Sequence, residues 1–194
     1  MANVKLSTAE LELVTNIPVI LTKNRIINAV QEIFWEITME YQRCIKNTYH
    51  LPDKVKSISP KIYKGENYEG LPWVMLDYPR YFTSTDELAI RSYFWWGNYF
   101  SITLLLSGEF ISRFAAGIES LAKAQHDWHL MTHEDKWQHT INNSNSKLLK
   151  GIKTAELLQM PFIKVVKTLP LQQWDVAPAF FTTSFESLVK MVFG

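Results

Sequence analysis

Ala89–Gly108 reads AIRSYFWWGNYFSITLLLSG, and six of the eight residues from Tyr93 to Phe100 are aromatic. Only Gly97 and Asn98 interrupt them. Aromatic and β-branched side chains fit a pleated, half-buried surface, so the segment predicts sheet at the centre of the fold. Extended throughout, it would span about 55 Å, long for one strand, and a bend or bulge at Gly97 relieves that length. The bent strand is the reading adopted. A two-residue hairpin turn at Gly97-Asn98 is the alternative, pairing Trp95 with Phe100 and Tyr93 with Ile102 and so mixing the two faces.

Alternate residues of a strand face opposite sides of the sheet. In the bent strand Phe94, Trp96, Phe100, Ile102, Leu104 and Leu106 share one side, nearly all hydrocarbon. Arg91, Tyr93, Trp95, Tyr99, Ser101 and Thr103 share the other, which mixes rings with hydroxyls and a guanidinium. Upstream, WVMLDY (residues 73–78) divides in the same way, with Val74, Leu76 and Tyr78 on one side and Trp73, Met75 and Asp77 on the other.

The elements around this sheet are mainly amphipathic helices. Ser7 and Glu10 have capping-box spacing and open a short helix, Thr8 to Thr15, stopped at Ile17-Pro18. Ile26, Val30, Ile33, Ile37, Tyr41 and Cys44 recur at three- and four-residue steps and predict a long helix from about Lys23 to Lys46. A strand is expected near Lys61–Lys64, another from Leu71-Pro72 to Pro79, a helix over Glu109–Gln125 and a helix over Lys147–Leu158. A strand over Pro161–Lys167 and a terminal helix capped by Thr183 and Glu186 complete the set. His126–Thr140 reads either as helix or as a small hairpin. The fold expected is α+β, a mostly antiparallel sheet covered by amphipathic helices, in one domain spanning 1–194.

Composition narrows the function classes. The 194 residues carry 20 Lys and Arg against 19 Asp and Glu, a formal charge of +1, which gives no bulk attraction for nucleic acid or an anionic membrane. Cys44 is the one cysteine, so no intrachain disulfide or cysteine zinc cluster is available. MANVKLSTAELEL lacks the basic and apolar regions of a leader, and Ser92–Ser107 is too short and too polar to span a bilayer. A soluble, cytoplasmic chain is expected. Gly65–Gly70 has the frame of a P-loop, but Leu71-Pro72 stand where the Lys and Ser/Thr would reach phosphate and Mg²⁺. No dinucleotide-binding GxGxxG and no nucleophile-elbow GxSxG occurs, and no cofactor is implied.

Three constellations remain. Trp73, Asp77, Arg91, Tyr93, Trp95 and Tyr99 form the amphipathic face, where rings supply contact area and an Arg–Asp pair fixes a polar ligand. The plainer reading of that face is structural: helices cover it, hydroxyls bond backbone, and Arg91 pairs with a carboxylate. His126, His129 and His133 would share a helical face, with His139, Asp127, Glu134 and Asp135 close by, and could hold zinc or iron. HEDKW nevertheless lacks the second His of the HExxH pattern, and no metal site is assigned. Glu32, Glu36 and Glu40 line up on the long helix as carboxylates or as a solvated stripe. The function expected is binding of a small-molecule or protein ligand on the aromatic sheet face. The alternative is a metal-dependent or carboxylate-based enzyme using the histidine segment, and the aromatic surplus also fits a homodimer interface.

Overall fold

In the computed structural model, which describes residues 4–194, the aromatic segment is two strands rather than one. Strands β3 (Glu87–Trp95) and β4 (Tyr99–Ser107) pair antiparallel, Trp95 opposite Tyr99 and Phe94 opposite Phe100. The bent-strand reading is therefore corrected, and so is the expected two-residue turn. Three residues, Trp96 to Asn98, make the connection; Asn98 N–H donates to the Trp95 carbonyl at 3.1 Å, and Gly97 takes the left-handed φ of +72°. A connection of three residues pairs odd positions with odd, so the two faces stay separate across the turn. The opposition of Trp95 and Phe100 expected of a hairpin does not occur.

Among the described residues seven strands form one antiparallel sheet. They are β1 (Lys61–Tyr68), β2 (Leu71–Phe82), β3, β4, β5 (His129–Met131), β6 (Ser146–Leu148) and β7 (Phe162–Pro170), ordered β1-β2-β3-β4-β7-β5-β6. β2 continues past Pro79, which was expected to end it. Proline cannot donate to the ladder, and the register with β3 slips between Asp77 and Arg80 so that the strand absorbs it as an irregularity.

The helices are α1 (Thr8–Thr15), α2 (Ile17–Lys46), α3 (Asp53–Lys56), α4 (Glu109–Ala124), α5 (Thr154–Leu157) and α6 (Ala177–Val192). α1 has its expected capping box, with Ser7 Oγ accepting from Glu10 N–H and the Glu10 carboxylate from Ser7 N–H. α2 begins six residues earlier than expected, at Ile17, because Pro18 falls in its first turn, where a missing N–H costs nothing. Pro178 likewise opens α6 ahead of Thr183, whose hydroxyl instead donates back to the Ala179 carbonyl at 2.7 Å. The helix expected over Lys147–Leu158 is reduced to α5, with β6 before it. Residues 1–3, the start of the segment read as lacking a leader, lie outside the described residues.

α2, α4 and α6 cover the hydrocarbon face of the sheet. Ile27, Val30, Phe34, Ile37, Tyr41 and Ile45 of α2 meet Val74, Leu76, Phe94, Phe100, Ile102 and Leu104 in one core. Tyr41 stacks on Phe185 at 3.6 Å, and its hydroxyl lies 2.9 Å from Ser92 Oγ, tying helix to strand. Among the described residues no helix is long and apolar enough to cross a membrane.

Candidate functional site

The opposite face of the sheet gathers the six residues singled out in the sequence. The registers of β2 with β3 and of β3 with β4 place Trp73 beside Trp95, Asp77 beside Arg91 and Trp95 beside Tyr99, all on one side. Arg91 donates from Nε to Asp77 Oδ1 at 2.9 Å and from Nη2 to Asp77 Oδ2 at 3.3 Å, and both residues are buried. Tyr63 of β1 completes the group: its hydroxyl donates to Asp77 Oδ2 at 2.7 Å and accepts from Arg91 Nη2 at 2.7 Å. A buried pair is sustained only when its remaining donors and acceptors are also met, and Tyr63 meets one of each. Burial, and secondarily the Asp77 carboxylate, pushes the Tyr63 pKa up to about 12.

A loop, not a helix, covers this face. Residues 132–145 run across it between β5 and β6 and are fastened at four points. Tyr99 donates its hydroxyl to the His139 carbonyl at 2.8 Å and accepts from Ile141 N–H at 3.1 Å. Tyr68 accepts from His139 N–H at 2.7 Å and Thr140 N–H at 3.1 Å. The buried Lys164 ammonium donates to the carbonyls of Lys136, at 3.0 Å, and Gln138. Lys136 in turn pairs with buried Glu87 at 2.8 Å. Trp137 lies over the Arg91 guanidinium at 5.3 Å, a cation–π contact.

Between this strap and the strands is a cavity of about 200 Å³ lined by Tyr63, Asn67, Tyr68, Trp73, Met75, Arg91, Tyr93 and His139. His139 stacks on Tyr93 with centroids 4.7 Å apart and meets Tyr68 edge-on at 5.3 Å. Burial, then the nearby Lys164 and Arg91 charges, holds the His139 imidazole far below its usual pKa and hence neutral. Trp73 stands edge-on to Tyr63 at 5.6 Å, over Gly65, where a Cβ would come within 2.6 Å of the indole. The missing side chain of Gly65 is what lets the ring lie there. Asn67 Oδ1 accepts from Gly70 N–H at 3.1 Å, leaving its Nδ2 as the spare donor. Two buried side-chain polar atoms among the described residues have no partner: Ser184 Oγ in α6, and the hydroxyl of Tyr93 at the cavity wall. Burial raises the Tyr93 pKa, so that hydroxyl keeps its proton.

Of the six expected residues, then, Trp73, Arg91 and Tyr93 line the cavity. Asp77 holds Arg91 from behind, Trp95 packs on Tyr68 at 5.2 Å, and Tyr99 anchors the strap. The plainer reading of the face therefore describes Tyr99 and the Arg91–Asp77 pair, except that a loop does the covering in place of helices. Tyr63, Asn67, Tyr68 and His139 were not expected here. Tyr63 could have been found from β1, where alternation puts it level with Met75 on the same face. His139 could not, because 46 positions and a loop path separate it from Tyr93 in the chain.

The histidine segment is strand and loop rather than helix, so His126, His129 and His133 share no helical face. His133 Nδ1 accepts from Asp135 N–H at 2.9 Å within its own turn. Among the described residues no group of three His, Cys, Asp or Glu could hold a metal ion. Glu32 and Glu36 lie on the exposed side of α2, and Glu40 pairs with Arg43 at 2.6 Å.

No family model matches the chain, and neither a curated protein nor a solved structure matches it.

Proposed function

We propose that this protein binds a small, uncharged, planar molecule, one ring with a carbonyl-type acceptor, in the cavity under the strap. The observation that carries the reading is the wall itself: rings of Tyr63, Tyr68, Trp73, Tyr93 and His139 around about 200 Å³, with a buried, unpartnered tyrosine hydroxyl among them. A cavity of roughly 150 Å³ accepts benzene, so this one suits a single substituted ring. Flat walls favour a flat guest through stacked and edge-on contacts. Donors predominate among the polar groups at hand, Asn67 Nδ2, the Arg91 guanidinium and the Tyr93 hydroxyl against the single acceptor nitrogen of neutral His139, which favours an acceptor on the ligand. Asp77 already neutralises Arg91 and His139 is neutral, so the cavity supplies hydrogen bonds without a surplus charge. A modest tilt of Tyr93, or of the imidazole stacked on it, brings the orphan hydroxyl to that acceptor and removes a desolvation cost of about 1–3 kcal/mol.

Benzamide is the test probe, with cyclohexanecarboxamide as the non-planar control and benzoate as the charged one. For so few heavy atoms a Kd of about 1 mM is expected. At about 10 mM, benzamide should raise the melting temperature and change tryptophan fluorescence, the controls should do so weakly, and Trp73→Ala should abolish the response. No response to benzamide, or an equal response in Trp73→Ala, would sink the reading.

A further inference from the structure

The outward face of α2 carries a second, unrelated pattern. Ile17, Leu21, Trp35 and Met39 are large apolar residues each at least 59% exposed, on a helix whose opposite stripe is fully buried in the core. Ile17 and Trp35 are eighteen positions apart, as are Leu21 and Met39, and eighteen residues make five whole turns. All four therefore lie along one line of the helix, one pair in its first two turns and the other past its middle. Asn24 and Asn28, also exposed, lie between the pairs on the same line. α1 and the first turns of α2 add to the apolar surface, since no residue of α1 is buried and Ile17–Thr22 are exposed throughout.

This spacing is its own complement. When two such helices run antiparallel with Asn28 opposite Asn28, Ile17 falls opposite Met39 of the second copy and Leu21 opposite Trp35 of the second copy. Arg25 then lies beside Glu32 of the second copy on the same flank, an attractive pair, and Asn28 can hydrogen-bond its counterpart. We infer that a second copy of this chain covers this face, the two α2 helices packing antiparallel about a two-fold axis at Asn28. An isologous contact requires that each residue meet a partner whose own partner it is, and the pattern satisfies that at both ends. A polar residue at the centre of an apolar seam fixes register, a role Asn28 fills. Ile17, Leu21, Trp35 and Met39 keep 59–66% of their surface exposed in the single chain, and a contiguous apolar stripe of that kind marks a contact surface. A membrane surface fits less well: α1 holds Glu10 and Glu12 and no basic residue, where a bilayer-bound helix would be cationic.

The full chain should run in light scattering at twice its own mass at about 50 μM, and Leu21→Glu should halve that mass while leaving the circular-dichroism spectrum of the folded body unchanged, since Leu21 is exposed and outside the core. Register is read by cysteine pairing in a Cys44→Ser background. Asn28→Cys should give a covalent dimer on mild oxidation. Gln42→Cys, on the same helix, should not, because its two copies stand about 42 Å apart along the seam. A monomeric wild type, a dimer indifferent to Leu21→Glu, crosslinking through Gln42→Cys in preference to Asn28→Cys, or a monomer that sediments with phosphatidylglycerol vesicles would each overturn the inference.

Discussion

Replacing Tyr99 by Phe removes a hydroxyl that joins the His139 carbonyl and the Ile141 amide, and both strap groups lose their partner. That change should cost about 1–3 kcal/mol in a urea melt. Tyr93→Phe, on the same face, removes a buried hydroxyl with no partner and should leave the ligand-free protein unchanged or up to about 1 kcal/mol more stable. Equal losses in the two variants would mean that Tyr93 is bonded after all. His139 gives a pH signature. Its imidazole ordinarily titrates near 6.5 and is held far lower in the folded protein, so below that pH the unfolded chain takes a proton the folded one refuses. The His139 contribution should therefore be level above pH 6.5, and stability should fall on acidification below it, by up to about 1.4 kcal/mol per pH unit while this group alone titrates. The fall should flatten in His139→Phe between pH 6.5 and the onset of carboxylate titration near 4.5. A wild-type profile that is level over that interval would show that the imidazole is free to charge.

At the scale of elements, α2 separates stability from surface along one helix. Ile37 is buried against the sheet, and Ile37→Ala should cost about 2–5 kcal/mol through lost burial and a cavity. Glu36, one position away on the exposed side, should change stability by less than about 0.5 kcal/mol when replaced by Ala. Comparable losses in denaturant melts would contradict the packing of α2. The strap over 132–145 is an element of another kind. It has little regular structure, and what holds it are side chains sent up from the sheet: Tyr68, Tyr99 and Lys164. Burial, with Arg91 nearby, brings the Lys164 amine down to about 8 from its ordinary 10.5. Between those values the unfolded chain binds the extra proton, so stability should rise as pH climbs from about 8 to 10. Above 10 the buried tyrosines, which keep protons the unfolded chain releases, reverse the trend. The rise should vanish in Lys164→Met; its persistence there would assign it to another group.

For the molecule as a whole, the features legible in the chain are those set by neighbours a few positions away. The capping box at Ser7 and Glu10, the buried stripe of α2 and the division of β2 and β3 into a hydrocarbon and an amphipathic face all follow from periods of 3.6 and 2, which any local stretch expresses. The α+β class and the antiparallel sheet under amphipathic helices follow from the same periods. Local rules erred where a proline was read as a stop: Pro18 opens a helix and Pro79 lies within a strand, because what counts is whether an N–H is needed at that place in the finished element. Tertiary structure alone decided the rest. One residue more in the turn at Gly97 restored the parity that keeps Tyr93, Trp95 and Tyr99 on one face. The register of β1 brought Tyr63 to the Arg91–Asp77 pair, and the strap delivered His139 to Tyr93. Periodicity says which way a side chain points, but it carries no information on which distant segment will lie opposite, since that choice is made by the packing of all the elements at once.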